Sequence, residues 1–271
     1  MLVLISVALS TGVLAILYKV SRQRTSSLQR KYQTLILLRQ VLLLSRQHRA
    51  ITHYALSGTH EPEPNELNAI YHLMVEKSNE LIALSPFENK PMYRIMLLKL
   101  KGLHTEWRQR SIARSQVIHG QTIRHCLFLM DEVAIAWLID SGREDLSDNY
   151  HTHWQQVLDC METLTQLRVS IQDSHYPEGM LMVKYYCDKT RRKLNQLSLI
   201  CPMSIASPLC SGAMLTLTEI NSCKELELTL EQLYQLTTDI SLIIAQVYDQ
   251  ILSDVTESLY LPLPQVTANQ I

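Results

Sequence analysis

Near the C-terminal end of the chain, apolar side chains return every three or four residues: Leu230, Leu233, Ile240, Ile244, Val247 and Ile251, with Thr237 among them. A helix turns about 100° per residue, so this spacing draws one stripe along a helix, whereas a strand face needs a period of two. The same rhythm recurs along most of the 271 residues, and strand-like alternation is hard to find. Seven Gly and nine Pro leave little material for a turn-rich β fold. The sequence predicts an all-α protein.

Breakers divide the pattern into eight segments. The first soluble helix runs from Thr25 to about Ser57, where Gly58 and Glu61-Pro62-Glu63-Pro64 stop it. A second spans about Asn65 to Leu84 and a third Pro91 to about Trp107. The fourth spans about Ser111 to Ile139, ended by Ser141-Gly142. After a polar loop from Arg143 to Asn149, a fifth runs from Tyr150 to about Gln172, with Pro177 and Gly179 marking the turn after it. A sixth occupies about Met180 to Leu199. The last two, from Ser211 and from Thr229, are expected to fuse or kink into one another. Short connections between antiparallel helices suggest two up-and-down four-helix bundles joined by long helices, over residues 25–141 and 150–260, with a loose tail at 261–271.

Residues 1–19 have a different character. Met1 to Tyr18 is apolar apart from two serines and a threonine, followed by Lys19, Arg22, Arg24, Arg30 and Lys31. Eighteen helical residues rise about 27 Å, close to the thickness of a bilayer core. Charge placed after the apolar run predicts a single-pass transmembrane anchor in the inner (cytoplasmic) membrane, with the soluble part in the cytoplasm. An export signal, cleaved or uncleaved, is the alternative.

A formal net charge of −1 gives no general reason to expect nucleic acid as a partner. The six cysteines form no C-x-x-C pair and read as buried apolar thiols in a reducing compartment, whereas export would allow disulfides. The chain carries no G-x-S-x-G, phosphate-binding loop, dinucleotide fingerprint or H-E-x-x-H. A di-iron bundle would need Glu-x-x-His pairs, which are missing. The expectation is a non-enzyme without metal or cofactor. Arg124, Asp131 and Glu132 read as a solvated face of the fourth helix.

Two arginines break the core pattern. With Leu35 as the zero of a helical wheel, Leu38, Leu42, Ser45, Arg49, Thr52 and Leu56 fall within about 80° of one another, which places Arg49 on the stripe that faces the core. In the fifth helix, Trp154, Val157, Leu158, Met161, Leu164 and Thr165 define an apolar face, and Arg168 falls on it. A guanidinium keeps its charge and is expensive to desolvate. Each arginine therefore needs a carboxylate such as Asp159, Asp131, Glu219 or Asp239, a route to solvent along its stem, or a bound anion. His48, about 100° from Arg49, reads as a surface or boundary residue.

At SRQHRAITHYALSG and WQQVLDCMETLTQLRVSIQD the chain resembles the nitrate- and nitrite-sensing (NIT) family, over roughly Gln29 to Leu259. The order of elements is similar too: a helix ending in L-x-x-L-S-x-x-H-R, an acidic Pro-rich break, then a helix with L-x-x-L-T-x-L-R. The resemblance implies a helical sensor that binds nitrate or nitrite between helices through Arg49 and Arg168, with His48, Ser45 and Gln166 in supporting positions. It also implies an output through a downstream signalling protein, where the family sensor usually precedes an output domain. The competing expectation is a ligand-free helical scaffold at the membrane, or a homodimer packed through the long final helix.

Overall fold

The computed structural model describes residues 2–58, 64–202, 206–223, 228–259 and 263, with the side chains of 2–8 and 64 outside that description. These residues form eight α-helices and no strand: α1 (Leu2–Leu56), α2 (Pro64–Leu84), α3 (Lys90–Glu106), α4 (Ile112–Ser141), α5 (Ser147–Ser170), α6 (Pro177–Ser198), α7 (Pro208–Ser222) and α8 (Leu230–Ser258). The all-α expectation holds.

Local chemistry explains most boundaries. Gly142 closes α4 at φ +73°, a left-handed conformation that only glycine adopts without strain, and its N–H reaches Ile139 O. Ser111 opens the same helix by accepting the Arg114 N–H. At α8, Thr229 and Gln232 form a reciprocal capping box. Thr229→Ala is expected to lower stability by about 1 kcal/mol, read as a lower urea midpoint with unchanged slope. An unchanged midpoint would show that α8 is held by its packed face alone.

Three boundaries differ from expectation. Pro177 and Gly179 lie inside the first turn of α6, because the absent proline N–H would have no helical partner there anyway. Gly179 is required by packing: a Cβ at this position would sit 1.8 Å from Asp173 O. The loop expected over Arg143–Asn149 contains a short 3₁₀ turn at Glu144–Leu146, and α5 already begins at Ser147. Finally, α7 ends before Cys223, whose backbone is extended, so it does not run on into α8; residues 224–227 lie outside the described residues.

α1 packs on α2 and α4, and α2 on α3, which in turn touches α4. In the second half α5 packs on α6 and α8, and α7 lies against α6 and α8. α4 against α5 joins the two sets, and a single apolar core runs through both, from Leu38 and Trp137 to Leu164 and Ile244. The buried stripe of α8 packs within the chain.

Burial along α1 comes in pairs: Thr34 and Leu35, Leu38 and Arg39, Val41 and Leu42, Leu44 and Ser45, His48 and Arg49, Thr52 and His53. A helix that contacts one neighbouring layer buries a single stripe, whereas two layers require a double one. α1 accordingly serves the first bundle with one face and looks across to α8 with the other. Adjacent residues such as His48 and Arg49 point into different surroundings.

The expected membrane segment, residues 1–19, lies partly outside the described residues. Among the described residues, no helix is long and apolar enough to cross a membrane. From residue 9 to residue 26, α1 is exposed along its whole circumference, including Leu9, Leu14, Ile16 and Leu17 at 59–65%. At the base of the bundle, Arg24 donates to Asp140 O and Lys31 to Ala136 O and to the Asp140 carboxylate, tying α1 to the end of α4. The expected tail, 261–271, lies outside the described residues apart from Leu263.

Candidate anion-binding cleft

A cleft of about 390 Å³ lies between the second face of α1, the end of α5 and the middle of α8, with Gln116 of α4 at its floor. It opens to solvent past Leu242 and Gln246. Four arginines line it: Arg39, Arg46 and Arg49 from α1, and Arg168 from α5. A single carboxylate, Asp249, is among the lining residues.

The structure brings Arg49 and Arg168 together at this cleft. Both are almost fully buried, at 6% and 4% exposure. Arg49 Nη2 donates to Ser241 Oγ at 3.1 Å. Arg168 Nε donates to Thr237 Oγ1 at 3.1 Å, and its Nη2 to Thr237 O at 2.8 Å. Among the described residues neither guanidinium meets a carboxylate at ion-pair distance. Three of the carboxylates offered as partners are engaged elsewhere: Asp159 with Lys193, Asp131 with His151, and Asp239 with Gln235. Hydroxyl and carbonyl acceptors satisfy part of each guanidinium fork and leave the positive charges uncompensated.

Electrostatics expresses the same imbalance. Burial pushes Arg49 well below the ordinary guanidinium value, and the charges of Arg168 and Arg46 push in the same direction. Arg168 is pushed down to about 9 by burial and then by Arg46, with Tyr234 opposing. Arg46 is lowered by burial and partly supported by Asp249. A guanidinium remains protonated near neutral pH, so these directions measure how poorly the charged forms are served by their surroundings. His53, also in the lining, is pulled down to about 4 by burial, then Arg168 and Arg49, and is neutral at pH 7.

Several polar lining groups lack a partner. Among the described residues, Arg46 Nε, His53 Nδ1, the Tyr234 hydroxyl and Gln116 Oε1 are out of water and have no hydrogen-bond partner. Buried polar atoms are otherwise nearly always paired. Unpaired polar atoms and uncompensated cations thus face one cleft.

Ser45, His48 and Gln166 do not line the cleft. Ser45 Oγ donates to Val41 O at 2.7 Å and faces Met74 of α2. His48 is fully buried, which corrects the boundary reading. Its Nδ1 lies 3.0 Å from His119 Nε2, and its ring meets His104 edge-on, all within the first bundle. The helical wheel set the core stripe on the Arg49 side of α1, whereas the first bundle is centred closer to His48. Gln166 is half-buried and donates to Glu162 Oε1 at 2.8 Å. Asp131, expected on a solvated face, is 8% exposed, and its carboxyl is raised to about 6 chiefly by burial. Arg124, expected on the same solvated face, is half-buried and forms an ion pair with Glu162.

Sequence reasoning missed Arg46, His53, Tyr234, Thr237 and Ser241 as neighbours of the two arginines. One signal was present: Arg39, Arg46, Arg49 and His53 fall within about 80° on the wheel of α1, a cationic stripe beside the apolar one. Among the described residues, no group of three or more His, Cys, Asp or Glu side chains is arranged to hold a metal ion. Compared with known proteins, the chain matches no protein-family model, no curated protein and no solved structure.

Proposed function

We propose that the cleft binds a small oxyanion, with Arg49 and Arg168 as the primary clamp, and that the protein is a sensor rather than an enzyme. The observation that carries this reading is the convergence of two buried guanidinium groups on one cleft without a carboxylate between them. Paired N–H donors match planar oxyanions, and the resemblance of the two arginine-bearing segments to the NIT family names nitrate and nitrite as the ions to try first. A bound anion would bridge α1, α5 and α8, drawing the two bundles together. It shifts a pre-existing equilibrium between looser and tighter packing by its differential affinity for the two.

The exposed apolar side chains of α1 from Leu9 to Tyr18 support membrane anchorage through this helix, with an output passed to a separate signalling protein. In this reading the anchor belongs to the inner membrane, and the bundles lie on its cytoplasmic side.

The test is a thermal-shift and calorimetric titration of the full chain with nitrate, nitrite, sulfate and chloride. Nitrate or nitrite is expected to raise the melting temperature, and Arg49→Ala and Arg168→Ala are each expected to abolish that rise. An undiminished rise in both variants overturns the site. No heat and no shift with any anion favours the ligand-free scaffold.

A further inference from the structure

Nitrate is small for this cleft. A volume of about 390 Å³ falls in the range of roughly 300–1,000 Å³ that larger organic ligands fill. A water molecule's share of the liquid is only about 30 Å³, and a planar four-atom ion is of comparable scale. The charge is also in excess. Four guanidinium groups against Asp249 leave three positive charges, and one monovalent ion in the Arg49–Arg168 clamp would leave two.

The excess is not spread evenly. Arg39 Nε donates to Asp249 Oδ1 at 3.0 Å, so the far end of the stripe has its counter-charge. Arg46 lies between that pair and the clamp, half-buried, with its Nε unmatched. Three residues separate Arg46 from Arg49, which places it about 4.5 Å further along the axis of α1. The wall around these cations is partly apolar: Leu42 and Leu43 on the Arg39 side of Arg46, Ala50 beside Arg49, and Leu242 and Ala245 on α8. The cleft therefore presents two cationic stations, the clamp and Arg46, beside an apolar stretch of α8.

We propose that Arg46 forms a second anion subsite, and that the preferred ligand is one small molecule with two anionic groups joined by a short apolar segment, as in an aliphatic dicarboxylate. One head lies in the Arg49–Arg168 clamp, the second meets Arg46, and the methylene chain lies along the α8 wall at Leu242 and Ala245. Two linked groups outbind two separate ions because the second contact is made within one bound molecule. This inference rests on the oxyanion reading of the clamp and extends it from one head group to the whole ligand.

The test titrates the full chain with nitrate, acetate, malonate, succinate and glutarate. At least one dicarboxylate is expected to bind about tenfold or more tightly than nitrate or acetate, with one molecule per chain. Arg46→Gln is expected to bring that dicarboxylate down to the level of acetate, a fold-loss several times larger than the one nitrate suffers. Arg46→Lys, which keeps the charge, is expected to retain the dicarboxylate preference and guards against a folding defect in the glutamine variant. Nitrate binding through Arg49 and Arg168 with no dicarboxylate advantage overturns the second subsite and leaves the clamp standing. Failure of every anion to bind overturns both.

Discussion

Replacing Arg49 with methionine is expected to raise the stability of the unliganded protein by about 1–3 kcal/mol, the range seen when buried charge gives way to apolar side chains of similar volume. At about 2–4 °C per kcal/mol for a chain of this size, the melting temperature should rise by several degrees. The reason lies in the cleft: Arg49 is 6% exposed, repelled by Arg168 and Arg46, and held by a single hydroxyl at Ser241. Methionine removes the repulsion and places a flexible apolar side chain in the cleft wall. The same change should eliminate stabilisation by nitrate. Greater basal stability with no ligand response is the signature of a residue kept for binding. A variant destabilised by more than about 2 kcal/mol would show instead that Arg49 is a structural member of the α1–α8 interface.

Acid should unfold the protein earlier than its carboxylates alone would dictate. His48 is held down to about 3, by burial first and then by His104 and Arg110. His119 lies well below its ordinary value, through burial and His48, with Arg49 and Arg110 adding to the effect and its hydrogen bond to Ser115 opposing. His53 sits at about 4. In the unfolded chain each takes up a proton as pH falls through about 6.5, while the folded protein keeps all three neutral. The unfolded state binds more protons in this window, so stability is full above about pH 6.5 and declines as pH falls toward 4. His48 alone is worth on the order of 3 kcal/mol by pH 4. Asp131, raised to about 6, opposes the trend because its proton is bound more tightly in the folded state, and it offsets only part of three histidines. Urea midpoints measured from pH 7.5 to 4 check this, and His48→Gln should flatten the decline. Identical slopes for the variant and the parent would place the acid sensitivity elsewhere.

The helices were legible because their ends carry strong local signals: glycines at 58 and 142, Ser111, and the Thr229–Gln232 box. Pro177 misled because proline stops a helix from within yet starts one at its first turn, and the sequence does not show which side of it the chain packs. The clamp arginines were legible for a related reason, since a guanidinium on an apolar stripe violates the pattern of a single helix. Their surroundings were not. Thr237 and Ser241 are ordinary helix residues until α8 is laid against α1 and α5, and that arrangement is a property of the whole fold. His48 was undervalued because one wheel was read for one buried stripe, whereas α1 has two.

α1 is unbroken from Leu2 to Leu56. Some forty residues, or roughly 60 Å of helix, separate Arg49 from the exposed segment around Leu9. The rod is tied to α4 near its midpoint by Arg24 and Lys31. That arrangement is a lever with a fulcrum. A swing of about 5° around the tie point, with roughly 20–30 Å of helix beyond it, carries the distal end sideways by about 2–3 Å. Closing the cleft on a ligand at one end would thus be felt at the other as a displacement comparable to those of known interface shifts.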